Sequence, residues 1–359
     1  MRATVLATLL VLTACAAVGG GATTTTAADP STTSTTSAAT TQPVPATTTS
    51  TPAPITTTST LAPDSLTIES FPVPAGSRPH DVAPAIDGGV WYTAQGSGEL
   101  GWLDPTTGET RHIDLGPGSR PHGVIVSDDG KPWITDGGLN AIVSVDPETA
   151  EVTVYELPSD RADANLNTAV FDVDGTLWFT GQEGVAGALR PDTGDMDVYD
   201  APEGRGPYGI THTAGLVFYA SLAGSYVGEI GEGGAVTVHE PPTPEQGARR
   251  VWGDSEGNIW VSEWNSGNVS RYTPTTGEWK TWSLPGEAST YAVYVDEMDI
   301  VWLSDFSANA MVRLDPATEQ FTVLELPHDP GDVRQIHGRP GEVWGAESAA
   351  DHLILIRTR

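Results

Sequence analysis

The chain of 359 residues carries 17 basic and 47 acidic side chains, a formal net charge of −30, and a single cysteine. Such a charge argues against nucleic acid as a partner and against adsorption to anionic lipid, and one cysteine excludes an intrachain disulfide. It suits an extracytoplasmic domain and favours cationic ligands or metal ions.

Met1-Arg2 leads into an apolar run from Ala3 to Leu12 and then into Leu12-Thr13-Ala14-Cys15. A positive start, a short apolar stretch and small residues before a cut predict a signal peptide over residues 1–14. The run is far shorter than the ~20 residues that span a bilayer. Leu-Thr-Ala before Cys15 resembles a bacterial lipobox, so Cys15 is the expected lipidation site. The protein is then lipid-anchored at the extracytoplasmic face of the cell membrane; an ordinary signal peptide with a chance cysteine would make it secreted. Residues 15–65 are rich in Thr, Ser, Ala and Pro, with Asp29 and Asp64 the only charges and no aromatic before Phe71. That composition predicts a disordered, extended stalk suited to O-glycosylation. Below residue 65 the only charges are Arg2, Asp29 and Asp64, so the rest holds 16 basic and 45 acidic residues, a net of −29.

From residue 66 the chain is periodic. Trp91, Trp133, Trp178, Tyr219, Trp260, Trp302 and Trp344 stand 42, 45, 41, 41, 42 and 42 residues apart. A period in the forties, with β-branched runs between Asp-Gly and Asp-Pro turns, is the signature of a β-propeller. One unit reads Gly123-Val124-Ile125-Val126, Ser127-Asp128-Asp129-Gly130, Trp133-Ile134-Thr135, Asp136-Gly137-Gly138, Ile142-Val143-Ser144-Val145, Asp146-Pro147-Glu148-Thr149 and Val152-Thr153-Val154-Tyr155. Gly accepts φ > 0 and Pro presets φ, which is why these pairs close hairpins. Residues 66–359 are therefore expected to form an all-β, seven-bladed β-propeller with four antiparallel strands per blade. Leu66–Phe71 has the pattern of an outermost strand, whereas Leu353-Ile354-Leu355-Ile356 is a third strand with none behind it. The N-terminal strand is expected to complete blade 7 and close the ring.

Eleven residues before each anchor lies the expected start of an innermost strand: His80, His122, Asn167, Tyr208, Arg249, Tyr291 and, in blade 7, Val333 or Arg334. Innermost strands surround the channel, so these side chains should meet at one mouth. The start of a first strand lies beside the end of its antiparallel second strand, which adds Gln95, Asp136, Gln182, Leu222, Glu263, Asp305 and Glu347. His122 beside Asp136 has the form of an imidazole base oriented by a carboxylate. Arg249 with Glu263, and Arg334 with Glu347, read as ion pairs that fix the rim or bind a carboxylate-bearing ligand. Asn167, Tyr208 and Tyr291 are candidate substrate contacts. The tryptophans read as core. His112, His212, His239, His328 and His352 fall on outer strands or turns, in solvent, and the register of His337 is open.

The Pro-His-Gly at 121–123, Pro-Tyr-Gly at 207–209, Trp-Ile-Thr at 133–135 and Trp-Phe-Thr at 178–180 resemble the virginiamycin B lyase family of seven-bladed propellers, over Leu66 to Arg359. The resemblance implies an enzyme that opens a cyclic streptogramin at its ester by metal-assisted elimination, with two histidines on adjacent strand starts and acidic residues holding Mg²⁺. Residue by residue, His122 matches the general base and His80 the substrate-contacting histidine. Asp136 lies near an acidic position of the family and becomes the candidate metal ligand. Two departures stand out: Arg120 replaces a metal-ligating Glu, and the histidine pair lies in the first two units where the family has it in the last two.

Two other readings use the same rim. One is a non-catalytic surface propeller that binds a peptide, glycan or small ligand; the other is a lactonase-type hydrolase, which needs a cluster of acidic and amide metal ligands. The sequence has no His-Glu-x-x-His, no cysteine pair and no EF-hand loop, so the compact metal motifs are excluded. Asp128-Asp129-Gly130 and Asp172-Val173-Asp174-Gly175 read as hairpin turns. The expected partner is a small molecule or cyclic peptide, and the expected state is a monomer.

Overall fold

The computed structural model describes residues 65–359, which form 28 strands, β1–β28 in chain order, and a short 3-10 turn at Glu232–Gly234. The signal at 1–14, Cys15 and the stalk as far as residue 64 lie outside the described residues. The strands make seven four-stranded antiparallel sheets. Their innermost strands are β2 (Pro79–Pro84), β6 (Pro121–Val126), β10 (Leu166–Phe171), β14 (Pro207–Thr213), β18 (Ala248–Gly253), β22 (Thr290–Val295) and β26 (Val333–Arg339). In the seventh blade the order is β1 (Ile68–Pro72), β28 (His352–Arg357), β27 (Glu342–Glu347), β26. Strand β1 pairs with β28 from Ile68–Ile356 to Pro72–His352. The ring closes as the sequence indicates, through backbone hydrogen bonds that leave no gap between first and last blade.

The core lies between blades. Trp260, Trp302 and Trp344 are fully buried, and hairpin acids hold the indole N–H groups. Trp178 donates to Asp172 at 2.7 Å, Trp260 to Asp254 at 2.9 Å and Trp302 to Asp296 at 2.8 Å. Asp172 also accepts the N–H groups of Asp174 and Thr176, so the acids of this turn serve the hairpin itself. The third strand packs its glycines under the second-strand aromatics: a Cβ on Gly101 would stand 2.1 Å from the Tyr92 ring, and one on Gly187 2.2 Å from Phe179.

Two repeated features set up the channel. First, every inner hairpin slips register at the same place, such as Pro79/Val82, Leu166/Ala169, Ala248/Val251 and Val333/Ile336. A β-bulge of this kind re-aims its extra residue. Second, the hydroxyl that ends four of the five Trp-x-Thr or Trp-x-Ser motifs ties neighbouring blades. Thr135 accepts the Gly123 N–H at 2.9 Å and donates to the Asn167 carbonyl of the next blade at 2.5 Å. Thr93, Thr180 and Ser262 make the same bridge to the carbonyls of His122, Tyr208 and Tyr291. Thr135→Val keeps the shape but strands one buried donor, the Gly123 N–H, and takes from the Asn167 carbonyl one of its two donors. Urea unfolding is expected to show a loss of about 1–3 kcal/mol; an unchanged midpoint would mean the bridge is ornamental.

Candidate active site at the channel mouth

The seven bulges carry His80, His122, Asn167, Tyr208, Arg249, Tyr291 and Arg334. Val333 pairs with Glu347 as Pro79 pairs with Ala94, so Arg334 is the blade 7 member. They do converge. The His80 and His122 rings stand 3.8 Å apart, Tyr208 meets His122 edge-on at 6.1 Å, and Tyr208 and Tyr291 share a hydroxyl contact of 2.5 Å from blades 4 and 6. Arg120 is exposed and does not obstruct them.

Beneath this ring a second tier comes from the next residue of each bulge, and Arg250 is its centre. The buried Arg250 guanidinium reaches Asp81 at 3.1 and 3.4 Å and Thr168 Oγ1 at 2.5 Å. Two chains of hydrogen bonds run from it to the two histidines. Asp81 accepts His80 Nδ1–H at 2.7 Å, and His80 Nε2 has no partner among the described residues. The Thr168 hydroxyl, its lone pair taken by Arg250, donates to Asn167 Oδ1 at 2.7 Å. Asn167 Nδ2 then donates to His122 Nε2 at 3.2 Å, and His122 Nδ1–H donates to the Asn167 carbonyl at 3.0 Å. One buried cation thus fixes both imidazole tautomers.

Burial holds His80 well below the ordinary imidazole pKa, and Arg250, Arg334, Arg249 and Arg78 push it lower still. Burial does the same to His122, helped by His80 and opposed by Asp81. Both rings are neutral at pH 7. Burial raises Asp81 above the usual carboxylate range against the pull of Arg250. In the phenol pair, burial and Tyr291 push Tyr208 up to about 12. Burial also acts upward on Tyr291, but Arg249, Arg250 and Tyr208 outweigh it, so its pKa falls below the ordinary phenol value.

Several sequence expectations need correction. Asp136 is not beside the His122 ring nitrogens. Its Oδ1 accepts the N–H groups of Arg120, Gly138 and Leu139, and Oδ2 accepts the Ser119 hydroxyl. The end of a second strand adjoins two rim loops whose amides need acceptors, and Asp305 does the same work for Ser289, Ser307 and Ala308. The expected Arg249–Glu263 and Arg334–Glu347 pairs do not form. Glu263 is taken by Ser266, Asn268 and Ser270, and Glu347 by His328. Arg334 turns to Ser348 and Asp332. His112, His239 and His328 are hydrogen-bonded to Glu99, Glu229 and Glu347 rather than left to water. His212 and His337 line a cavity of about 250 Å³ that also touches Phe171, Trp252, Asp81, Thr168 and Gln335.

Sequence reasoning missed Asp81 and Arg250. Strict strand alternation sends a residue next to His80 or Arg249 to the other face. The bulge sets two consecutive residues against one partner, so both serve the channel.

The sequence model of the Virginiamycin B lyase family matches residues 56–290, more than half of the chain. The chain belongs to that family. Among solved structures, virginiamycin B lyase from Staphylococcus aureus superposes with a TM-score of 0.76 at 19% identity, over 82% of this chain and 100% of that one. A streptogramin B lyase gives 0.75 at 23% identity, over 82% and 98%. A catalytically inactive histidine-to-alanine variant of the S. aureus lyase with quinupristin gives 0.75 at 20%, over 82% and 100%. At such identities the likeness carries the fold. No curated protein sequence matches the chain.

Virginiamycin B lyases are metal-dependent in general, and the donors of this mouth test that property. Ligand atoms of His80, Asp81 and His122 lie within 4.8 Å of one another. Mg²⁺ demands a near-octahedral set of oxygens. The one carboxylate in the cluster is already bonded to Arg250 and His80, and Asp136 is saturated by four donors. The residues present do not fit Mg²⁺.

Proposed function

We propose that the protein is a carbon–oxygen lyase that opens an ester or lactone linkage by elimination at this mouth. The observation that carries the reading is the His80–Asp81 pair. An imidazole whose Nδ1–H is held by a buried carboxylate and whose Nε2 is open is a base ready to accept a proton. Both nitrogens of His122 are engaged by Asn167, so its role is to contact substrate beside the base, the reverse of the roles the family resemblance implies. His80 Nε2 takes the proton α to a carbonyl, the electron pair forms a carbon–carbon double bond, and the bond from the β-carbon to its oxygen breaks. An ester linkage thereby yields an alkene and a carboxylate, with no water consumed. The quinupristin complex of the S. aureus lyase supports a cyclic depsipeptide as the first substrate to try.

The test is turnover of a streptogramin B depsipeptide in H₂¹⁸O, followed by mass spectrometry. Ring opening without ¹⁸O in the product supports elimination, whereas ¹⁸O uptake makes the protein a hydrolase. Binding without turnover is the second reading. It is favoured by how tightly the mouth packs: His80, His122 and Tyr291 are 5%, 7% and 1% exposed.

A further inference from the structure

We infer that the mouth recognises a carboxylate, so that the substrate is a β-alkoxy carboxylate, such as a 4-linked uronate glycan, held by Arg249 and Arg334. The reaction assigned to it rests on the lyase reading above; the recognition does not.

Three observations carry it. Arg249 has five N–H donors and spends one, from Nη2 to the Tyr208 hydroxyl at 3.1 Å; its Nε is buried without a partner. No carboxylate pairs with it among the described residues. Aromatic faces hold this cation in place, with Tyr291 at 3.5 Å, Tyr208 at 4.6 Å and Trp264 at 4.7 Å from the guanidinium carbon. Stacking orients the planar fork but leaves its in-plane donors unspent, the geometry that binds a carboxylate by two parallel hydrogen bonds.

Arg334 stands across Tyr291 and Phe306 at 5.7 and 5.6 Å, with a side chain 28% exposed. Trp264 and Phe306, 5.4 Å apart and both only partly buried, add an apolar platform beside the two cations. Arg78 joins Arg249, Arg250 and Arg334 in acting on His80, so guanidiniums gather at this opening of a chain of net charge −30, with Asp332 standing 3.5 Å from Arg334. A net-acidic protein that gathers arginines at one opening focuses anions there.

The chemistry follows from the same groups. A carboxylate resists losing its α-proton because a second negative charge develops, and a guanidinium pair offsets that charge where a divalent cation otherwise would. The α C–H bond gives its proton to His80 Nε2 and its electron pair to a new double bond, and the Cβ–O bond breaks. The leaving oxygen takes a proton from the Tyr208–Tyr291 phenol pair. The products are an unsaturated carboxylate and an alcohol, and the proton on His80 returns to the phenol through solvent.

The experiment titrates the protein in EDTA with trigalacturonate, with its methyl ester, and with 3-methoxypropionate and its ester, following tryptophan fluorescence and calorimetry. The acids are expected to bind more tightly than the esters. Arg249→Met should weaken the acids by roughly 10- to 100-fold, the size of one or two charge-assisted hydrogen bonds, and leave the esters unchanged. Arg334→Met is the second variant, since Arg249 also packs on three rings. Equal binding of acid and ester in both pairs, or acid binding that needs Mg²⁺, overturns the inference. Mass spectrometry of the same mixtures separates the two readings. Arginine-dependent binding of the acid without alkene sinks the lyase assignment and keeps the carboxylate site. Elimination of the neutral depsipeptide with no acid preference does the reverse.

Discussion

Arg250→Met is expected to lower the unfolding free energy by about 3–5 kcal/mol, the loss typical when one partner of a buried ion pair is removed. The cause is what the change leaves behind. Asp81 is 1% exposed, and among the described residues the only cation that bonds it is Arg250. Without it a carboxylate sits uncompensated in the channel wall, and Thr168 loses the donor that orients it toward Asn167. Methionine keeps the bulk, so packing contributes little. Denaturant unfolding at pH 7 measures the loss, and a double-mutant cycle with Asp81→Asn assigns it: the pair should be more stable than Arg250→Met alone because no charge is stranded. The pH dependence has a definite sign. Burial already raises Asp81, and a carboxylate with a raised folded pKa favours folding when protonated, an advantage lost as pH rises through that value. The deficit of Arg250→Met should therefore be largest at neutral pH and shrink on acidification. A variant as stable as the parent at pH 7 would show that the Arg250–Asp81 pair contributes nothing net.

His80→Ala is expected to cut kcat by about 10²- to 10⁴-fold, the range of a general base, with a smaller change in KM. His122→Ala should cost less in kcat and more in KM, because its nitrogens are bonded to Asn167 and cannot accept a proton without breaking that contact. The opposite ranking would restore His122 as base and return the site to the arrangement that family resemblance implies. The pH profile gives an independent check. Burial and four arginines depress His80, so the basic form persists below the usual imidazole range. The rate should hold as pH falls through about 6.5, the ordinary histidine value, and drop only well below it. Asp81→Asn removes the carboxylate that holds Nδ1–H, so its rate should fall while substrate binding stays near that of the parent.

The residues explain why some of this was legible in the sequence and some was not. The 41- to 45-residue spacing of the Trp anchors reports blades directly, since each blade must bury one large aromatic against its neighbour. Leu66–Phe71 announced ring closure because a three-stranded last unit needs a fourth strand. The rim positions from His80 to Arg334 were legible for the same reason: distance from the anchor counts pleats along a hairpin. Partner choice is a different matter. Asp136, Glu263 and Glu347 stand at the same distance from the channel in sequence terms, yet loop amides, hydroxyls and His328 claim them. No pattern along the chain records such competition.

What the sequence by itself determined is the seven-bladed ring, its closure by β1 and β28, and the seven side chains brought to one mouth, because periodicity and turn chemistry are local and repeat. What only the tertiary structure decided is which of those side chains speak to each other. Asp81 meets Arg250 across 169 positions of sequence and Tyr208 meets Tyr291 across 83, and each contact depends on a bulge that turns two successive residues toward the channel. That geometry makes His80 the open imidazole, leaves Arg249 with donors to spend, and gathers four arginines around His80 in an acidic protein.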